Sequence, residues 1–153
     1  MNQSPIYRRI LLKLSGEALA PATRADGILD FAFIDRVAAV LKKCHDAGVQ
    51  IAVITGAGNI WRGATGSVKM NRTRADHMGM LATCINAIAL EDAFSRAGLD
   101  AVAMSAVEMD TFADHYSSRH AIRHLEAGRI VVLGGGTGAP YFSTDTGAAL
   151  RAA

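Results

Sequence analysis

The sequence predicts an α/β fold in which a mainly parallel sheet is sandwiched between helices. Three observations carry that expectation. Four short apolar or β-branched runs, Tyr7–Leu14, Val49–Ile54, Ala101–Met104 and Ile130–Leu133, read as strands. Each is followed by a stretch with helical period, an alternation that favours parallel pairing with helices on both faces. Glycine-rich turns follow the first, second and fourth runs, which would gather them at one edge of the sheet, where open parallel sheets bind ligands.

The elements follow in order. The first strand closes at Ser15-Gly16, with Lys13 set between leucines just before the turn. That lysine either points into a crevice as a point charge for phosphate or faces water from an edge strand. Gly16 to Asp30 reads as a loop or short flap. Asp30 can cap a helix from Phe31 to Ala47, with Phe33, Val37, Val40 and Leu41 on its apolar face and Gly48 at its end. After the second strand comes Thr55-Gly56-Ala57-Gly58-Asn59-Ile60-Trp61-Arg62-Gly63, where Arg62 suits a phosphate and Trp61 suits either packing or base stacking. Arg72 to Ala97 forms a long helix with Met78, Leu81, Ile85, Ile88 and Leu90 as its apolar positions. Asp76 in its first turns either complements the helix dipole or accepts hydrogen bonds from a ribose. A polar helix is expected from Glu108 to Ala127, where His120 and His124 share a face: a metal pair by spacing, or a solvated surface.

Composition narrows the function. The chain has 153 residues, half of them hydrophobic and one fifth charged, with a formal charge of +2. That balance describes a globular protein with a core, and scattered basic residues argue against a nucleic-acid binder. Cys44 and Cys84 fit no metal spacing and no disulfide framework, which makes reduced thiols in the cytoplasm the expectation. No apolar run reaches membrane-spanning length, and the first residues lack the apolar region of a signal peptide.

The richest stretch is Ile130 to Thr146, IVVLGGGTGAPYFSTDT. An apolar strand opens through glycines onto Ser143-Thr144-Asp145-Thr146, which can start a helix. Glycine lets backbone approach a ligand closely, and a helix start supplies unpaired N–H groups, so this is a candidate phosphate site. A tight turn of an α/β domain has the same composition without a ligand. No G-x-x-x-x-G-K-[ST] occurs, so the chain is not a P-loop enzyme. Gly134, Gly136 and Ala139 fit the dinucleotide fingerprint loosely, but they follow the fourth strand, Pro140 comes next, and the chain ends before the acidic residue expected about 20 residues on.

Four segments together carry a resemblance: KLSGEAL from Lys13, GAGNIWRGA from Gly56, RADHMGMLAT from Arg74, and GTGAPYFSTDTGAALRA from Gly136. In this order and spacing the chain resembles the bacterial UMP kinases, which have the amino-acid-kinase three-layer αβα fold. The resemblance implies transfer of the γ-phosphoryl of Mg-ATP, with its Mg2+, to UMP. It implies ATP-phosphate contacts from Lys13, Ser15, Gly16, Gly58 and Arg62, and a UMP side formed by Gly56, Ala57, Asp76 and the run Thr137, Gly138, Ala139, Pro140, Tyr141, Phe142, Ser143 and Thr144. Lys13, Arg62 and Asp145 would stand at the reacting centre, without a protein-bound metal. A hexamer, activation by GTP and inhibition by UTP are implied as well. Two positions depart from the family pattern: Ala57 where a glycine is usual, and Ala139 where an asparagine is usual. Family members continue well beyond a point matching Ala153, so residues 1–153 read as a single domain forming the N-terminal, UMP-side portion, weak or inactive in turnover alone. A non-catalytic nucleotide- or oxyanion-binding module of the same fold is the alternative.

Overall fold

A computed structural model describes residues 5–62 and 69–153. Gly63 and Ala64, the end of the second glycine-rich motif, lie outside the described residues. The strands are β1 (Arg9–Leu14), β2 (Gln50–Thr55), β3 (Ala101–Ser105), β4 (Asp114–His115) and β5 (Ile130–Gly134). The helices are α1 (Phe31–Asp46), α2 (Arg72–Arg96), α3 (Ser118–Glu126) and α4 (Thr144–Ala152). Two short 3-10 turns, Gly16–Leu19 and Arg24–Asp26, fill the segment expected to be a loop.

All five strands are parallel, in the order β1-β2-β5-β3-β4. Side chains alternate across the sheet with period two, as strand geometry requires. Ile51, Val53, Ile130 and Val132 face one core with α1 and α2. Ala52, Ile54, Val131 and Leu133 face the other, with Ala121 and Leu125 of α3 and Ala148 of α4. The result is three layers. The register pairs Leu14 with Thr55, Ile54 with Leu133, and Gly134 with Ser105, so these strands end nearly flush. Their outgoing loops therefore start from one edge.

The helix ends follow local chemistry. Asp30 caps α1, its carboxylate accepting from Phe33 N at 2.8 Å, and Ser143 caps α4, accepting from Thr146 N at 3.1 Å. Gly48, Gly98 and Gly128 follow α1, α2 and α3 with φ of 90°, 80° and 82°, the left-handed conformation that ends a helix.

Three expectations need correction. The buried stripe of α1 is Ile34, Ala38 and Leu41, flanked by the half-buried Phe33 and Val37, while Val40 is exposed. On α2 the difference is larger. Met78, Leu81, Ile85 and Ile88 are exposed, and the buried face consists mainly of small residues such as Ala75, Ala82, Thr83, Cys84 and Ala87, with Leu90 and Phe94 further on. The cause is close packing: a Cβ added at Gly134 of β5 would lie 3.0 Å from Cys84 Cα. Small side chains let helix and sheet approach; larger ones would hold them apart. Finally, the helix expected from Glu108 begins only at Ser118. Ser117 caps it by accepting from His120 N, and the residues before it form a turn and the two-residue β4. His124 lies against Asp114 and Arg129 rather than pairing with the exposed His120.

Among the described residues no helix is long and apolar enough to cross a membrane. Among the same residues no group of three or more His, Cys, Asp or Glu is placed to hold a metal ion.

Candidate active site

The loops leaving β1, β2 and β5 meet beyond the strand ends and leave two adjoining cavities. The larger, about 570 Å³, is lined by Lys13, Ser15, Gly16, Gly58, Arg62 and neighbours. The smaller, about 150 Å³, lies between α2 and the β5 loop, with Asp76, Gly79, Thr83, Thr137 and Phe142 among its walls. Ala57, Trp61 and Thr144 line both. They form the seam.

Glycine at position 16 has a physical cause. A Cβ there would stand 2.4 Å from Gly58 N and 2.7 Å from the Gly56 carbonyl, both backbone. The turn capped by Ser15, whose Oγ accepts from Glu17 N, thus packs backbone to backbone on the β2 loop.

Cations and carboxylates are matched around the larger cavity. Lys13 Nζ lies 2.9 Å from Asp145 Oδ1, bringing the end of β1 to the first turn of α4. Arg62 pairs with Glu17. These groups are largely exposed, so each pair is labile and screened by salt. A polyphosphate entering the cavity can exchange for the carboxylates as the partner of either cation.

The smaller cavity is fixed differently. The Asp76 carboxylate, mostly buried, accepts from Arg72 Nε at 3.0 and 3.1 Å and from Tyr141 N at 2.9 Å. Tyr141 has φ of 69°, and among the described residues no other non-glycine has a positive φ. Its backbone is held there by Asp76, its hydroxyl lies 3.3 Å from Thr73 Oγ1, and Arg72 stacks on its ring at 5.6 Å. Thr83 Oγ1 accepts from Gly135 N at 2.9 Å and donates to Met80 O at 2.6 Å, tying the β5 loop to α2. From the other side Arg151 Nη2 donates to Gly136 O at 2.6 Å while its guanidinium stacks on Tyr116 at 4.0 Å. Burial lowers the pKa of Arg151, and among the described residues its buried Nη1 has no hydrogen-bond partner.

The residues singled out in the sequence sort unevenly. Lys13, Ser15, Gly16, Gly56, Gly58, Arg62 and Ser143 line the larger cavity; Asp76, Thr137, Ala139 and Phe142 line the smaller. Asp145 reaches the larger through Lys13. Gly138, Pro140 and Tyr141 line neither: Gly138 packs on Ala106, and the Tyr141 ring is exposed over Arg72. Trp61 does pack, donating Nε1–H to Ala75 O at 2.8 Å and lying over Gly79, and it also walls both cavities. Ala57 is not in the left-handed region, so its Cβ brings no backbone strain.

Sequence reasoning missed Glu17 as the partner of Arg62. It also missed Asn59 and Asn86, whose buried amides join the β2 loop to α2. The signal for the latter was available: an asparagine in an otherwise apolar stretch of α2, Cys84-Ile85-Asn86-Ala87-Ile88, requires a buried partner.

The profile of the amino acid kinase family matches residues 8–153. The chain belongs to that family. It is 53% identical over 148 residues to a uridylate kinase of Limosilactobacillus reuteri, a match covering 96% of this chain and 61% of that protein. Among solved structures, it is similar to the UMP kinase of Ureaplasma parvum, with TM-score 0.88 and 35% identity, covering 95% of this chain and 64% of that one. The UMP kinase of Bacillus anthracis gives TM-score 0.87 and 33% identity, covering 95% and 60%. The parallel sheet with its four helices thus matches the UMP kinase fold, and the chain spans about three fifths of the length of these relatives.

Proposed function

We propose that this amino acid kinase family member handles UMP as phosphoryl acceptor and the phosphates of Mg-ATP as donor. The observation that carries the reading is the pair of adjoining cavities sharing Ala57, Trp61 and Thr144. One has cations for a polyphosphate, and the other has a fixed carboxylate and backbone suited to a nucleoside monophosphate. The similarity to uridylate kinases supports uracil as the base.

In the reaction an oxygen of the UMP phosphate forms a bond to the γ-phosphorus as the bond to the ADP oxygen breaks, giving UDP and ADP. Such a transfer needs positioning and charge neutralisation rather than a covalent nucleophile. Lys13 would leave Asp145 to neutralise the moving phosphoryl, and Arg62 would leave Glu17 to grip the donor phosphates. Ser15 and Gly58 would offer donors to the same phosphates. Magnesium would arrive with ATP and help neutralise its phosphates, and Asp145, once released from Lys13, would be a carboxylate available to hold it. Asp76 would hold the ribose, and Thr137 to Thr144 would wrap the phosphate and uracil. The hexamer and the GTP and UTP effects belong to this reading as family expectations.

Calorimetric titration of this chain with UMP, CMP, AMP and Mg-ATP tests it. Saturable binding that prefers UMP is expected. Equal binding of all three monophosphates, or of none by the folded chain, contradicts it.

A further inference from the structure

Two asparagines meet beneath the β2 loop. Asn86 of α2 is completely buried and Asn59 of the loop is 8% exposed. Asn86 Nδ2 donates to Gly56 O at 2.8 Å and to Asn59 Oδ1 at 2.9 Å. Asn59 Nδ2 donates to Asn86 Oδ1 and to Ile28 O, both at 2.9 Å. Each amide thus uses both N–H donors and its oxygen. The outer partners are carbonyls, to which only the NH2 end of an amide can bond, so the orientation of both amides is fixed by the network. A fully satisfied buried polar network rigidifies what it touches.

Besides the Ile28 carbonyl, this network touches one peptide group at the site. Gly56 O accepts from Asn86 and also from Thr55 Oγ1 at 2.7 Å. The Gly56–Ala57 bond is trans, so the Ala57 N–H is directed opposite to that carbonyl, away from Asn86. Among the described residues this N–H has no hydrogen-bond partner. Ala57 is also one of the three residues lining both cavities. A peptide group locked on its carbonyl side and open on its N–H side is a preorganised donor for an anion.

We propose that Asn86, oriented by Asn59, is a positioning residue for phosphate: it holds the Gly56–Ala57 peptide so that the Ala57 N–H donates to a phosphate oxygen at the seam. This rests on the phosphoryl-transfer reading above but not on the identity of the base. It also explains why an alanine serves at position 57, since the contact needs the backbone N–H and no positive φ.

The test follows the Ala57 amide resonance of the ¹⁵N-labelled chain during titration with pyrophosphate, UMP and uridine. Pyrophosphate and UMP are expected to shift it, and uridine to leave it in place. In Asn86→Ala the ratio of UMP to uridine affinity should fall about tenfold, the effect of one lost charge-assisted hydrogen bond, with uridine affinity unchanged. Asn59→Ser, which keeps the Asn86 contact to Gly56, should give a smaller fall, and it carries the test if Asn86→Ala does not fold. An Ala57 amide unmoved by pyrophosphate and UMP overturns the proposal. So does an unchanged ratio in a folded variant, or equal losses for UMP and uridine. A pyrophosphate shift without preference for UMP would uphold this role while removing the UMP assignment.

Discussion

The two cavities share a wall but are held by different forces. The larger is bordered by exposed ion pairs, Lys13 with Asp145 and Arg62 with Glu17, which a phosphate can replace at little cost. The smaller is bordered by directed hydrogen bonds: Thr83 to Gly135 N and Arg151 to Gly136 O at buried or half-buried groups, and the mostly buried Asp76 carboxylate to Tyr141 N. A highly charged donor supplies its own driving force and suits an adaptable, electrostatic receptor. A monophosphate must be recognised by shape and by a few directed contacts, which need fixed walls.

That contrast can be broken at its common base. Gly16→Ala puts a Cβ into the backbone of Gly56 and Gly58, so both cavities should suffer. We expect about 1–3 kcal/mol lost in urea unfolding, together with donor binding, because no flexible side chain can move aside. Binding and stability like the parent's would show that the two loops separate freely. Thr83→Val keeps shape but strands the Gly135 N–H, and a loss of about 1–3 kcal/mol is expected in the same assay. Binding in the larger cavity should be spared.

Asp76→Asn should weaken UMP about tenfold, a loss near 1.4 kcal/mol, while leaving Mg-ATP binding as it was. Equal losses for both ligands would mean that the cavities are not separable. The smallest effect concerns stability alone: Lys13→Met should change the unfolding free energy by about 0–1 kcal/mol, since it removes an exposed pair. Added salt should weaken donor binding more than acceptor binding in the parent chain.

Much of this architecture was legible in the residues. Apolar runs gave the four main strands, and Asp30 and the run Ser143-Thr144-Asp145-Thr146 marked two helix starts because a capping side chain is a local feature; the cap itself is Ser143. The face of α2 was not legible, because it depends on how closely another element approaches. Hydrophobicity pointed to Met78, Leu81, Ile85 and Ile88, but contact with Gly134 selects small residues. The start of α3 was misread for a related reason: a polar stretch lacks the periodicity that would separate turn, strand and helix, and only Ser117 marks the boundary. At the site, glycines and charged residues pointed to the loops that border the two cavities. The side chains that hold those loops did not stand out, since Asn59, Asn86 and Thr83 act through long-range pairing between β2, α2 and β5 loops.

The chain's single tryptophan, Trp61, stands at the seam and offers the most direct measurement. Its emission should change on saturation with UMP, and change again when Mg-ATP is added, with the UMP response weakened in Asp76→Asn. Calorimetrically saturable binding of both nucleotides with Trp61 emission unchanged would place the ligands elsewhere and contradict the two-cavity account.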